Sequence, residues 1–254
     1  MLHDLTITTA VICIVVALLA GFVDAVAGGG GLIQLPVMLM VFPHQSIAMV
    51  SGTNKSVSIV GTSGAAVTYA KRMPLNRRLI VPMAVAAFIG SAIGASLITR
   101  VDRASFEPIL LAVLLVVSVF TILRPDFGSL TRHTQRGPIA ASMLGLIIGF
   151  YDGIMGPGTG MFLVLGLIAV IGCDFLSSSA MAKFVNVATN LAALAIFIPS
   201  HNVMWAVTLL MAPANLLGGL IGARTAINRG SVFVRAIFIA VQIAMVIRLV
   251  ISVS

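Results

Sequence analysis

Ten apolar runs follow one another along this chain, at about 5–27, 32–43, 47–70, 79–99, 106–123, 139–155, 160–172, 177–198, 203–226 and 232–252, with very little charge inside them. A helix that crosses the hydrocarbon of a bilayer needs about 20 apolar residues, with a lower limit near 17. Most of the runs qualify. Only 9% of the 254 residues are charged and 59% are hydrophobic, whereas soluble domains carry roughly a quarter charged residues. A water-soluble fold would need polar outer faces that these runs cannot supply. The expected class is an all-α, polytopic transmembrane helical bundle.

The net charge is +8, but the basic residues sit in the short gaps between runs, where they act as topology signals. Aromatic residues are too few and scattered for a base-stacking platform, which argues against nucleic acid as a partner. Cys13 and Cys173 lie in or beside apolar stretches without a second Cys or His at metal-ligand spacing, so both read as packing residues, and no metal or cofactor is expected. Met1 to Asp4 contain no Lys or Arg and no small-residue cleavage site follows a short core. The first run is expected to remain in the mature protein.

Two runs, 32–43 and 160–172, are short, and each follows a glycine-rich break: Gly28-Gly29-Gly30-Gly31 and Gly156-Pro157-Gly158-Thr159-Gly160. The two sets of five runs also resemble each other. Gly21-Phe-Val-Asp-Ala25 returns as Gly149-Phe-Tyr-Asp-Gly153, and Gly90-x-x-x-Gly94-Ala95 returns at the same offset as Gly218-x-x-x-Gly222-Ala223. A repeat of this kind marks a duplicated transporter scaffold, whose interrupted segments point to the binding site. The expected division is one transmembrane repeat at 1–123, a cytoplasmic linker at 124–138 and a second repeat at 139–254.

If all ten runs cross, one side of the membrane receives Lys71, Arg72, Arg77, Arg78, Arg124, Arg132, Arg136, Arg224, Arg229 and Arg235, and the other only Arg100 and Arg103. The positive-inside rule makes the first side cytoplasmic and puts both termini outside. Five crossings per half make the halves inverted. If the short runs re-enter instead, the halves are parallel and the Arg224–Arg235 cluster falls outside. The charges favour inversion.

Ser51, Lys55, Ser58 and Thr62 recur at helical spacing on one face of the run 47–70, with Asn54 beside them. Lys55 lies roughly 12 Å into the membrane, deeper than a lysine stem can snorkel. It therefore has to meet an anion, a carboxylate or water in an internal cavity; the structural alternative is an ion pair with Asp24 or Asp152. Lys183, Asn186 and Asn190 share a face in the second half, beside Thr189. Lys183 is close enough to its run's start to snorkel. The two asparagines can donate to an oxyanion. Helices restarting after the breaks would present free N–H groups and a positive dipole end, which suit an anion; tight packing is the alternative role for the glycines. Asp24 and Asp152, just before the breaks, fit a proton relay, a cation ligand or a lysine partner.

These residues resemble the TauE/SafE family of sulfite and organosulfur-anion exporters. The carrying motifs are Gly21-Phe-Val-Asp-Ala-Val-Ala-Gly-Gly-Gly-Gly31 with Pro36, Thr53-Asn54-Lys55, Gly149-Phe-Tyr-Asp-Gly-Ile-Met-Gly-Pro-Gly-Thr-Gly160, and Ala182-Lys183 with Asn186 and Thr189-Asn190. They span nearly the whole chain. The resemblance implies a multi-pass transporter of the bacterial inner membrane with a central site shared by both repeats, and sulfite, sulfonates or other small oxyanions as expected cargo.

The expected function is a secondary carrier for a small anion. Its expected ligands are Thr53, Asn54, Lys55, Ser58, Lys183, Asn186, Thr189 and Asn190, together with Gly29, Gly30, Gly31, Gly158, Thr159 and Gly160 at the breaks; Asp24 and Asp152 serve in coupling or ion pairing. The expected partners are the anion, the lipid bilayer and a coupling proton or sodium ion, with self-association left open. The sequence lacks a Gly-x-x-x-x-Gly-Lys-Ser/Thr motif for ATP. An anion channel is the alternative. An embedded enzyme is disfavoured, because His3, His44, His133 and His201 fall in gaps or at the terminus without partners at triad or metal spacing.

Overall fold

The computed structural model describes residues 6–98 and 137–253, which form eight helices and, among the described residues, no strand. The first four are α1 (Ile7–Ala27), α2 (Gly30–Val41), α3 (Ile47–Arg72) and α4 (Arg77–Ile98). The others are α5 (Pro138–Ile154), α6 (Thr159–Gly166, widened into a π turn over Leu167–Ile171), α7 (Phe175–Phe197) and α8 (Trp205–Val253). The run at 106–123 and the basic residues Arg100, Arg103, Arg124, Arg132 and Arg136 lie outside the described residues. The runs at 203–226 and 232–252 join in α8, whose backbone breaks at Gly230 (φ 74°, ψ −173°).

Local chemistry sets the helix starts. Thr6, Ser46 and Asp174 each accept the amide of the residue three positions on, at 3.2, 3.1 and 3.0 Å, which meets one of the orphan donors of a first turn. Ser46 and Asp174 occupy equivalent places in the two halves, at the offset that relates Gly21 to Gly149. Asp174 also accepts from the Ser231 hydroxyl at 2.8 Å, tying the start of α7 to the residue after the α8 break. Partial burial works against ionising Asp174, but hydrogen bonds from Ser177, Ser231 and the Leu176 amide outweigh it and hold the carboxyl below its usual range.

Helices α1, α4, α7 and α8 are long and apolar enough to cross a membrane. Their outer faces carry exposed Val11, Val15 and Leu19, Val85, Ile89 and Ile93, Leu191, and Leu209, Leu217 and Ile221. An outer surface of this kind suits lipid. Helix α3 inverts the pattern: it has 26 residues, and Ser51, Thr53, Asn54, Lys55, Ser56 and Thr62 are all buried.

Helix α2 has 12 residues, about 18 Å at 1.5 Å per residue, which falls short of a bilayer core of about 30 Å. It doubles back along α1 instead. Gly30 packs on the Ala20 carbonyl, and further along, Gln34 and the Ala17 carbonyl share the side-chain amide of Asn215. Helix α6 returns along α5 in the same way, with the Phe162 ring edge-on to Tyr151 at 5.0 Å and Gly166 against Leu144. Each glycine break is thus the tip of a helical hairpin.

The halves are interlocked rather than merely adjacent. Helix α4 packs on α5 and α7 of the second half, and α8 packs on α1 and α3 of the first. The closest contacts repeat at equivalent positions of the two halves. A Cβ at Gly90 would strike the Leu146 carbonyl and one at Gly218 the Leu18 carbonyl; Gly94 and Gly222 bear the same relation to Phe150 and Phe22. These are the small-residue motifs that let membrane helices approach backbone to backbone.

Adding a methyl group at either place should therefore be destabilising. Gly218→Ala and Gly90→Ala are each expected to cost about 1–3 kcal/mol through overpacking, measured as a lowered unfolding midpoint in detergent. Gly137→Ser, where an added Cβ meets nothing within 4 Å and serine is a good helix cap, should leave the midpoint unchanged.

Candidate functional site

Each half contributes one lysine and one aspartate, and each lysine is paired with the aspartate of the other half. Lys55, well inside α3, forms an ion pair with Asp152 in the last turns of α5. Lys183, its counterpart on α7, lies 3.1 Å from Asp24 Oδ2 in the last turns of α1 and also donates to the Asp24 carbonyl. The helix C-terminus favours a cation at that place. The Lys183 side chain is fully buried, so it does not snorkel to the surface, and its positive charge is met inside the protein. Thr62 Oγ1 donates to Asp24 Oδ2 at 3.1 Å, and Thr159 Oγ1 to Asp152 Oδ1 at 2.6 Å.

The hairpin tips meet between these pairs. Gly28 and Gly156, which stand at equivalent places in the two halves, hold φ of 81° and 83°, and Gly158 holds 81°, a left-handed conformation that side chains with a Cβ resist. Gly28 lies so close to Gly160 that a Cβ on either would overlap the other's backbone. Around this crossing lies a small polar pocket lined by Asp24, Gly28 and Gly31, by Asn54, Lys55 and Ser58, by Asp152, Gly156, Gly158, Thr159 and Gly160, and by Asn186 and Asn190. It leaves about 20 Å³ for the centre of a water-sized occupant, close to the room one water molecule needs.

Of the residues singled out in the sequence, Asn54, Lys55, Ser58, Gly31, Gly158, Thr159, Gly160, Asn186, Asn190, Asp24 and Asp152 are brought together here. Others are not. The Thr53 hydroxyl donates to the Met49 carbonyl at 2.7 Å and accepts the Met204 amide at 2.8 Å, so it fastens the start of α8 to α3 away from the pocket. Thr189 donates to the Asn186 carbonyl at 3.0 Å and lies 3.3 Å from its side-chain oxygen, behind the wall. Lys183 is spent on Asp24. Gly29 faces the Met161 and Val241 side chains, and Gly30 faces α1. Gly28 and Gly156 line the pocket although they are not among the expected ligands; their equivalence in the repeat was the available signal. Gln34 and Asn215, standing behind Asn54, gave no such signal.

Two kinds of group face the cavity. The ion pairs leave it with no formal excess charge, because two ammonium groups meet two carboxylates. The amides are donors without acceptors: among the described residues, the side-chain nitrogens of Asn54 and Asn186 and the whole amide of Asn190 have no hydrogen-bond partner. These three side chains line the cavity, where an acceptor can take their amide hydrogens.

A family model described as sulfite exporter TauE/SafE matches residues 13–249. A Sinorhizobium protein named probable membrane transporter protein ORF9 is 35% identical over 251 residues, covering 98% of this chain and 95% of that one. A probable membrane transporter protein of Haemophilus influenzae is 31% identical, covering 97% and 96%. The probable membrane transporter protein YfcA of Escherichia coli K12 is 30% identical over 234 residues, covering 91% and 85%. No solved structure matches the chain.

Removing one member of a buried pair strands the other. Lys55→Ala, which leaves the Asp152 carboxylate unpaired, is expected to cost about 3–5 kcal/mol by denaturant unfolding in micelles. Lys55→Ala combined with Asp152→Ala should recover most of that loss, and additive losses would show that the two side chains do not depend on each other.

Proposed function

The chain belongs to the sulfite exporter TauE/SafE family of membrane transporters, and from that premise we propose that it is a secondary carrier of a small oxyanion, sulfite or a related sulfur-containing anion. It is a multi-pass bacterial membrane protein. The observation that carries the proposal is the convergence of the Lys55–Asp152 pair, the Asp24 carboxylate, the side chains of Asn54, Asn186 and Asn190 and two glycine-broken helix starts on one pocket.

In this reading the anion takes the place of a carboxylate as the partner of Lys55. Its oxygens accept from Asn54, Asn186 and Asn190, and the first N–H groups of α2 and α6 lend the positive ends of their helices. The displaced Asp152 carboxylate then needs a cation, and a coupling proton or sodium ion supplies it. Ion pairing thereby links substrate entry to ion entry without ATP. Nothing in this scheme makes or breaks a covalent bond, so the role is transport rather than catalysis.

A pocket with room for about one water molecule is smaller than a sulfite ion, which supports a carrier that closes between its open states over a continuous pore. The hairpins and the contacts at equivalent positions support two repeats, at 1–123 and 139–254, joined by a linker at 124–138. The basic gaps support an inverted arrangement with the linker in the cytoplasm.

Three measurements test this. Purified protein is expected to unfold at a higher temperature in the presence of sulfite, thiosulfate or a short sulfonate, because a ligand that binds only the folded state stabilises it by mass action; no shift with any of them overturns the oxyanion assignment. In reconstituted vesicles Lys55→Ala should reduce anion flux by about a hundredfold, the loss expected for a charged hydrogen bond of about 3 kcal/mol; flux equal to the parent's would remove Lys55 from the site. In a background lacking Cys13 and Cys173, Asn76→Cys and His201→Cys should label from opposite sides of the membrane, and labelling from the same side would rule out inversion.

A further inference from the structure

Asn54 has its side-chain oxygen already occupied, and the reason lies outside the pocket. Gln34 on α2 is completely buried. Its Nε2 donates to Asn54 Oδ1 at 2.9 Å, and its Oε1 accepts from Asn215 Nδ2 at 3.0 Å. Asn215 Nδ2 has a second hydrogen, which goes to the Ala17 main-chain carbonyl at 3.0 Å. Neither Gln34 nor Asn215 lines the cavity.

An amide side chain can turn over and exchange its donor with its acceptor, and a wall built from asparagine is by itself indifferent to the sign of its guest. A main-chain carbonyl has no such freedom: it only accepts. The Ala17 carbonyl therefore requires a nitrogen from Asn215. That nitrogen requires an oxygen from Gln34, which leaves Gln34 to present a nitrogen to Asn54. The oxygen of Asn54 is used up, and its NH2 is the end that faces the cavity. Gly61 keeps the chain in register, since a Cβ there would collide with Asn215 Oδ1.

We infer that Gln34 and Asn215 are positioning residues that set the polarity of Asn54, making the pocket wall donor-only at that point and so selecting an anionic or acceptor-bearing guest over a cation. The inference rests on the oxyanion reading of the pocket and extends it from the residues that touch the guest to the pair that orients one of them. It also accounts for two buried amides in hydrocarbon that no ion pair uses.

The test is a cycle of binding measurements with sulfite, thiosulfate and methanesulfonate on the purified, full-length protein. Gln34→Met keeps the length of the side chain and removes both of its polar atoms. It is expected to weaken anion binding about tenfold or more, the usual worth of a hydrogen bond to a charge, and Asn54→Ala to do the same. Because Gln34 acts through Asn54, adding Gln34→Met to Asn54→Ala should cost no further affinity. A residue with a merely structural role would lower the unfolding midpoint and give additive losses of affinity. If Gln34→Met does not fold, Asn215→Ala takes its place in the same cycle with the same expectation, since it removes the anchor at Ala17. Affinity unchanged in Gln34→Met, or losses that add in the double variant, overturns the positioning role while the oxyanion site stands. Failure of the unaltered protein to bind any of the three anions overturns both.

Discussion

A charge inside hydrocarbon is costly unless an opposite charge, a carbonyl or water meets it inside the protein. Among the described residues Lys55, Asp152 and Lys183 are buried and Asp24 is partly buried, and they meet crosswise: Lys55 with Asp152 and Lys183 with Asp24. Neither half can satisfy its own lysine by this arrangement, so the two halves must fold against each other before either is complete. Other contacts make that approach feasible. The glycines at 90, 94, 218 and 222 bring α4 onto α5 and α8 onto α1 at backbone distance, and Gly28 and Gly160 let the hairpin tips touch where the pairs form.

The same crossing explains why the pocket is both polar and small. The crossed pairs neutralise their charges, so the pocket can exist empty, while the side-chain nitrogens of Asn54 and Asn186 have no acceptor among the described residues. In the carrier reading, a guest with acceptor oxygens would exchange partners with the ion pairs rather than fill a standing positive hole. The energetic difference between the empty and loaded states would then be small, as a carrier that must release its cargo requires. Small differences between states are also what permit the elements on either side of the pocket to move.

Much of this was legible in the sequence because lipid punishes exceptions. Lys55 stands out only because its surroundings are apolar, and a carboxylate partner for it could be named in advance as Asp24 or Asp152; which of the two it would be could not. The glycine breaks were visible as interruptions, and the helix starts at Ser46 and Asp174 carry ordinary capping residues. The reading of Lys183 as close enough to the surface to snorkel used distance along its own helix alone, and packing by α1 removed that outlet. Thr53 sits beside Asn54 in sequence, yet a helical step of about 100° turned it toward Met204 instead of the cavity. Gln34 and Asn215 stayed hidden because an amide 181 residues from its partner leaves no local pattern.

The sequence by itself determined the solvent, the helical class and the family, since all three follow from which residues occur and at what spacing. Hydrophobic run length and the constant offset between repeated motifs are properties of the chain and need no third dimension. Tertiary structure alone decided which lysine meets which aspartate, that the short helices turn back as hairpins, and that the oxygen of Asn54 is taken by Gln34. Each of those depends on a contact between segments far apart in the chain, where backbone proximity and the fixed acceptor character of one carbonyl, rather than composition, select among arrangements that the sequence leaves equivalent.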